Sequence, residues 1–138
     1  MVDADKRPVK LAEVRADTIV IVEPEGHTRT GDTSAFVVRL DATRFVSAPP
    51  AGHLSGVVAY SLLCTHAGCP VGLFEQSTGR MLCPCHQSVF NLLDGGRAVA
   101  GPAARSLPGL PINVGNDGFL YATGDFTGPP GPGYWSMP

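Results

Sequence analysis

The sequence predicts an all-β protein, and three observations carry that reading. Gly and Pro account for 17 and 13 of the 138 residues, a density that favours short elements joined by turns. The apolar residues gather in brief β-branched runs, with no sustained 3.6-residue period of an amphipathic helix. Between the runs lie Asn/Asp/Gly and Ser/Thr/Gly clusters of the kind that close hairpins.

The length suits one domain spanning residues 1–138 with a core of its own. With 43% hydrophobic residues, 16% charged residues and a formal net charge of -2, the chain is neither a disordered polymer nor a polybasic nucleic-acid binder. Its longest apolar stretches, Thr18 to Val22 and Val57 to Cys64, fall far short of the roughly 18 residues a membrane-spanning helix needs. Residues Met1 to Arg7 lack the basic start and apolar middle of a secretory signal.

Taken in order, the segment to about Asp17 alternates weakly through Val9, Leu11 and Val14. It reads as an arm or edge strand whose charged residues are solvated, or as the stump of a linker. Thr18–Val22 and Ala35–Leu40 are dense β-branched or apolar runs, read as strands. After the break at Pro49–Gly52, Gly56 to Leu63 reads as a buried strand delivered straight into Cys64. Two short runs between Leu73 and Leu82 flank Ser77-Thr78-Gly79, a hairpin whose second arm ends at Cys83. Leu110–Val114 and Phe119–Thr123 bracket Gly115-Asn116-Asp117-Gly118, a second hairpin. The tail carries Pro129 to Gly133 and then Tyr134-Trp135, expected to pack against the sheet, and His27 and His53 read as ordinary surface histidines.

The chemistry is concentrated in Cys64-x-His66 and, sixteen residues on, Cys83-x-x-His86. Two thiolates and two imidazoles suit zinc or iron, not the oxygen-seeking calcium and magnesium. A structural zinc site usually takes C-x2-4-C and H-x3-5-H pairs, so the C-x-H spacing argues against one. Cys69 and Cys85 remain beside these ligands, open at this point to being free buried thiols or a cross-link between the two loops.

Cys64-Thr65-His66-Ala67-Gly68-Cys69 and Cys83-Pro84-Cys85-His86-Gln87-Ser88 resemble the two boxes of a Rieske iron–sulfur protein of the disulfide-containing type. The resemblance covers roughly Val57 to Phe126. With Gly101-Pro102-Ala103-Ala104 and the Tyr134-Trp135 tail, it narrows to the Rieske subunits of actinobacterial quinol:cytochrome c oxidoreductases. It implies a [2Fe–2S] cluster, with Cys64 and Cys83 on one iron, His66 and His86 on the other, and a Cys69–Cys85 disulfide. Ser88 would donate its hydroxyl to a bridging sulfide. Phe90 stands where high-potential members carry a tyrosine bonded to a cysteine ligand, matching Cys64 here, which implies a lower potential suited to a quinol such as a menaquinol. Gly101 and Pro102 belong to the loop that covers the cluster, although Ala104 replaces a proline often found there. Ala67, at the tip of the first box, is smaller than the aliphatic residue many members use for docking.

For fold, the resemblance implies a Rieske-type antiparallel sandwich or barrel base (residues 1–58 and 107–126), a small cluster-binding lobe (about 59–106) bearing two ligand loops, and a tail (127–138). For function, it implies a one-electron carrier, with no complete active site of its own, in a quinol:cytochrome c oxidoreductase. His66 and His86 would be its reacting edges, a cytochrome b subunit and quinol its donor side, and a c-type cytochrome its acceptor. Such subunits are membrane-anchored, so the chain is expected to be the soluble extracytoplasmic head of a longer protein. The alternatives are the Rieske small subunit of an arsenite oxidase-like enzyme and a Rieske ferredoxin of an oxygenase system; Cys69, Cys85 and Ser88 argue against the ferredoxin.

Overall fold

The computed structural model describes residues 1–2, 7–23, 34–47, 49, 51–54, 56–65, 71–84, 88–101, 105–124 and 126–128. Among these, regular structure consists of nine strands and three single-turn 3-10 helices, at Leu11–Glu13, Ala42–Arg44 and Leu92–Asp94. Strands β1 (Val20–Val22), β2 (Ala35–Arg39) and β3 (Val57–Ser61) form an antiparallel sheet with β2 in the middle. Strands β4 (Leu73–Glu75), β5 (Arg80–Leu82), β6 (Val89–Asn91) and β7 (Arg97–Ala100) follow one another as an antiparallel four-stranded sheet. Strands β8 (Ile112–Val114) and β9 (Leu120–Ala122) form a hairpin. The antiparallel, nearly helix-free architecture matches the class the sequence predicts.

The long apolar runs of β2 and β3 arise because both of their faces are covered. Successive side chains on a strand point to opposite faces. Phe36, Val38, Val58 and Tyr60 therefore enter one buried cluster with Met81, Phe90, Leu92 and Leu107. Ala35, Val37, Val57 and Ala59 enter a second cluster with Val9, Val14, Leu110 and Leu120. Fully burying a Val, Leu or Phe contributes about 1.5–3 kcal/mol, so these two strands are the mechanical centre of the molecule. The four-stranded sheet has one covered face instead: Phe74, Met81, Phe90 and Ala98 lie in one cross-strand row against the first cluster.

Two expectations need correction. Of the two readings of the N-terminal segment, its described residues give the edge strand and not the solvated arm. The Leu120 N–H donates to the Val9 carbonyl at 2.8 Å, Leu11 N–H to Gly118 at 3.0 Å, and Glu23 N–H to Val2 at 2.8 Å. Arg39 holds the segment from the sheet side, its guanidinium donating to the Val14 and Leu11 carbonyls at 2.8 Å each. Met1, Val9 and Val14 are buried while Lys10 and Arg15 face outward, so the weak alternation marks a real inner face.

The second correction concerns the strand leading to Cys64, which stops at Ser61 rather than running through Leu63. Among the described residues no helix is long and apolar enough to cross a membrane.

Candidate metal centre

The first box is reached through a bend. Leu62 is anchored from both sides: its N–H donates to the Ser34 carbonyl at 2.9 Å and its carbonyl accepts from Val71 N–H at 2.7 Å. Leu63 N–H donates to Ser61 Oγ at 3.2 Å. The chain then places Cys64, fully buried, inside the core. Thr65 follows, 8% exposed, its Oγ1 donating to the Arg105 carbonyl at 2.7 Å. That bond ties the first box to the segment just beyond residues 101–104.

The second box is reached directly. β5 ends at Leu82 and Cys83 is the next residue, as the hairpin reading anticipated. Cys83 N–H donates to the Ser88 carbonyl at 2.8 Å, and Gly72 N–H donates to Leu82 at 3.2 Å.

The structure brings several of the sequence-predicted residues together. Cys64 and Cys83 belong to one buried cluster with Val71, Met81 and Phe90. Phe90, at 0% exposed, pairs in register with Met81 on one side and Ala98 on the other. Ser88 is fully buried beside Cys83. Gly101, at φ 81°, lines an open cleft of about 600 Å³ together with Cys83, Leu73, Leu82, Val89 and Ala100. A left-handed backbone of this kind is one glycine adopts without steric cost. His66, His86, Cys69, Cys85, Pro102, Ala67, Ala103, Ala104, His27 and the Tyr134-Trp135 tail lie outside the described residues. His53 is exposed, as expected, and its Nδ1 accepts from Gly56 N–H at 3.0 Å.

Two hydroxyls near the first box, those of Ser61 and Thr65, carry no site signature of their own in the sequence. Thr65 sits between two candidate ligands, which is a signal of sorts. Its partner is forty residues away in sequence, beyond any local pattern.

The donor chemistry supports a soft metal group. Two sulfur donors from separate chain segments converge in an apolar cluster, with a buried hydroxyl carrier beside one of them. Thiolates bind iron and zinc, and a coordinated metal supplies the positive charge that would stabilise buried anionic sulfur. The described half of the ligand set therefore fits an iron–sulfur group.

A family profile described as Rieske [2Fe-2S] domain matches residues 12–111, a span that contains both boxes and both described cysteines. The chain belongs to the Rieske [2Fe-2S] domain family. The cofactor of this Rieske domain is a [2Fe–2S] cluster. The chain is 58% identical over 80 residues to the cytochrome bc1 complex Rieske iron-sulfur subunit of Streptomyces lividans, covering 58% of this chain and 47% of that protein. It is 47% identical over 107 residues to the subunit of the same description from Corynebacterium glutamicum, covering 78% of this chain and 24% of that one. This Rieske chain thus spans about half the length of the first relative and about a quarter of the second. In fold it is similar to the soluble domain of the Rieske protein II from Sulfolobus acidocaldarius, with a TM-score of 0.63 and 24% identity over 81% of this chain and 69% of that one.

Proposed function

We propose that this chain is the electron-carrying head of the Rieske subunit of a cytochrome bc-type quinol:cytochrome c oxidoreductase, working at the extracytoplasmic face of the membrane. The observation that carries the reading is the convergence of Cys64 and Cys83, from two boxes with Rieske spacing, into one buried cluster. The level of identity to actinobacterial bc1 Rieske subunits supports the choice of parent complex.

In this reading Cys64, Cys83, His66 and His86 hold the cluster, in a lobe of about residues 59–106. When bound, the cluster supplies a one-electron acceptor whose potential lies above that of an all-cysteine cluster, because two neutral imidazoles replace two anionic thiolates. His66 and His86 each spend one ring nitrogen on iron and keep the other for a proton. The pair titrates as a coupled unit, so proton release from quinol can accompany loss of its electron. Cys69 and Cys85 form the disulfide that braces the two loops. Ser88, Gly101 and Pro102 shield and tune the site, with Ser88 donating its hydroxyl toward the cluster sulfur. The apolar packing around Cys64 and Cys83 keeps water from the sulfur side, leaving the histidine edges to meet the donor, a cytochrome b subunit with its quinol, and the acceptor, a c-type haem.

The test is purification of the native protein from membranes. Co-purification with b-type and c-type haem polypeptides is the expected result. Co-purification with a molybdopterin subunit would move the chain to an arsenite oxidase-like enzyme, and recovery with a soluble oxygenase would make it a ferredoxin.

A further inference from the structure

We infer that Ser61 is a positioning residue for the Cys64 thiolate, an assignment that rests on the cluster-binding reading above. β3 ends at Ser61, opposite Ala35, the first residue of β2, and the Leu62 N–H still meets the Ser34 carbonyl at 2.9 Å. Fully buried Ser61 then turns its Oγ to the N–H of Leu63, which it accepts at 3.2 Å. A side-chain oxygen bonding to the backbone two residues on holds that amide in a local turn.

Ser61 is well fixed for this task. Its own N–H donates to the Pro108 carbonyl at 2.8 Å, and it stands opposite Ala35 on β2. The next residue, Leu62, is held by Ser34 and Val71. The hydroxyl therefore acts from a rigid base on the residue immediately before the ligand. Cys64 enters the buried cluster one residue after the pinned amide. An alanine at position 61 would fit the strand but leave the Leu63 N–H, on a residue only 7% exposed, without its side-chain partner. Threonine would keep the oxygen.

The experiment compares the cluster-loaded full chain with S61A and S61T by electron paramagnetic resonance after dithionite, by film voltammetry, and by the rate of cluster loss to an iron chelator. S61A is expected to show altered g-values, a shifted midpoint potential and cluster loss about tenfold faster, the scale of one lost buried hydrogen bond. S61T is expected to restore all three. A wild-type spectrum, potential and loss rate in S61A overturn the assignment, as does a lowered melting temperature with those readouts unchanged. Should S61A not accumulate as folded protein, amide exchange at Leu63 in the wild-type chain decides: protection supports the pin and rapid exchange overturns it. Wild-type protein without iron and labile sulfide would reject the cluster reading itself, a result separable from each of these.

Discussion

The three-stranded sheet and the four-stranded sheet solve the same problem by different means. In β2 and β3 nine of the ten residues are buried, and both faces of the pair are packed. In β4 to β7 the strands are three or four residues long, and their outward positions, such as Leu73 and Arg97, are exposed. Strands so short bury little on their own, so this sheet depends on one inward row and on ties to its surroundings. Arg44 donates to the Ser77 carbonyl at 2.8 Å, Val46 N–H to Leu93 at 2.7 Å, and Ser47 to Asp94 at 2.8 Å. Rigidity in one region comes from burial; in the other it is borrowed from the first. The two candidate ligands among the described residues sit where the two regions meet, Cys64 three residues past β3 and Cys83 directly after β5.

The largest effect that could break this comparison is expected at Phe36. It is fully buried in β2, its ring 6.1 Å from that of Tyr60, and it shares a cluster with Met81 and Phe90 of the second sheet. Phe36→Ala should cost about 3–5 kcal/mol, and urea unfolding followed by hydrogen exchange should show both sheets losing protection together. Independent survival of the four-stranded sheet would show that it does not borrow its rigidity.

A smaller effect, of opposite sign, is expected at Tyr60. Its buried hydroxyl has no hydrogen-bond partner among the described residues, so Tyr60→Phe removes an uncompensated polar group and should stabilise the protein by about 1 kcal/mol. Burial first, and the nearby Asp94 charge second, push the Tyr60 phenol well above its ordinary value of 10.0. The folded state therefore keeps the proton that the unfolded chain releases above pH 10. Stability is fully present below that pH and declines as pH rises past it. The phenylalanine variant should lose that alkaline decline, and identical alkaline unfolding curves for the two proteins would contradict the burial argument.

The smallest structural perturbation is Phe90→Tyr. The fold should be unchanged, because only a hydroxyl is added within the row shared with Met81 and Ala98. In the proposed reading that hydroxyl would donate to the sulfur of Cys64, a member of the same buried cluster, and so favour the reduced and more negative state. Film voltammetry should record a higher midpoint potential. An unchanged or lower value would sever Phe90 from the tuning of the site.

What was legible in the sequence follows the same division. β2 and β3 announce themselves because two-sided burial selects unbroken apolar runs, and the hairpins around Ser77-Thr78-Gly79 and Asn116-Asp117-Gly118 announce themselves through turn chemistry. β6 and β7 passed unseen: Val89–Asn91 and Arg97–Ala100 are short, carry polar residues on their outer face, and are separated by a 3-10 turn at Leu92–Asp94 instead of a compact hairpin signal. The docking of the N-terminal segment was equally invisible, since Val9 pairs with Leu120 and Leu11 with Gly118, and a local pattern carries no information about partners a hundred residues away. At the site, the cysteine and histidine spacing pointed to a metal directly. The hydroxyls of Ser61 and Thr65 did not, because serine and threonine gain meaning only from the backbone groups that folding brings to them.

The most direct measurement is quantification of iron and acid-labile sulfide, with electron paramagnetic resonance of the dithionite-reduced chain produced under conditions that permit cluster assembly. Two irons and two sulfides per chain, with the low-average-g signal of a mixed thiolate and imidazole ligand set, are the predicted result for a Rieske [2Fe-2S] domain. A colourless protein holding stoichiometric zinc, or one with iron but no labile sulfide, would contradict it.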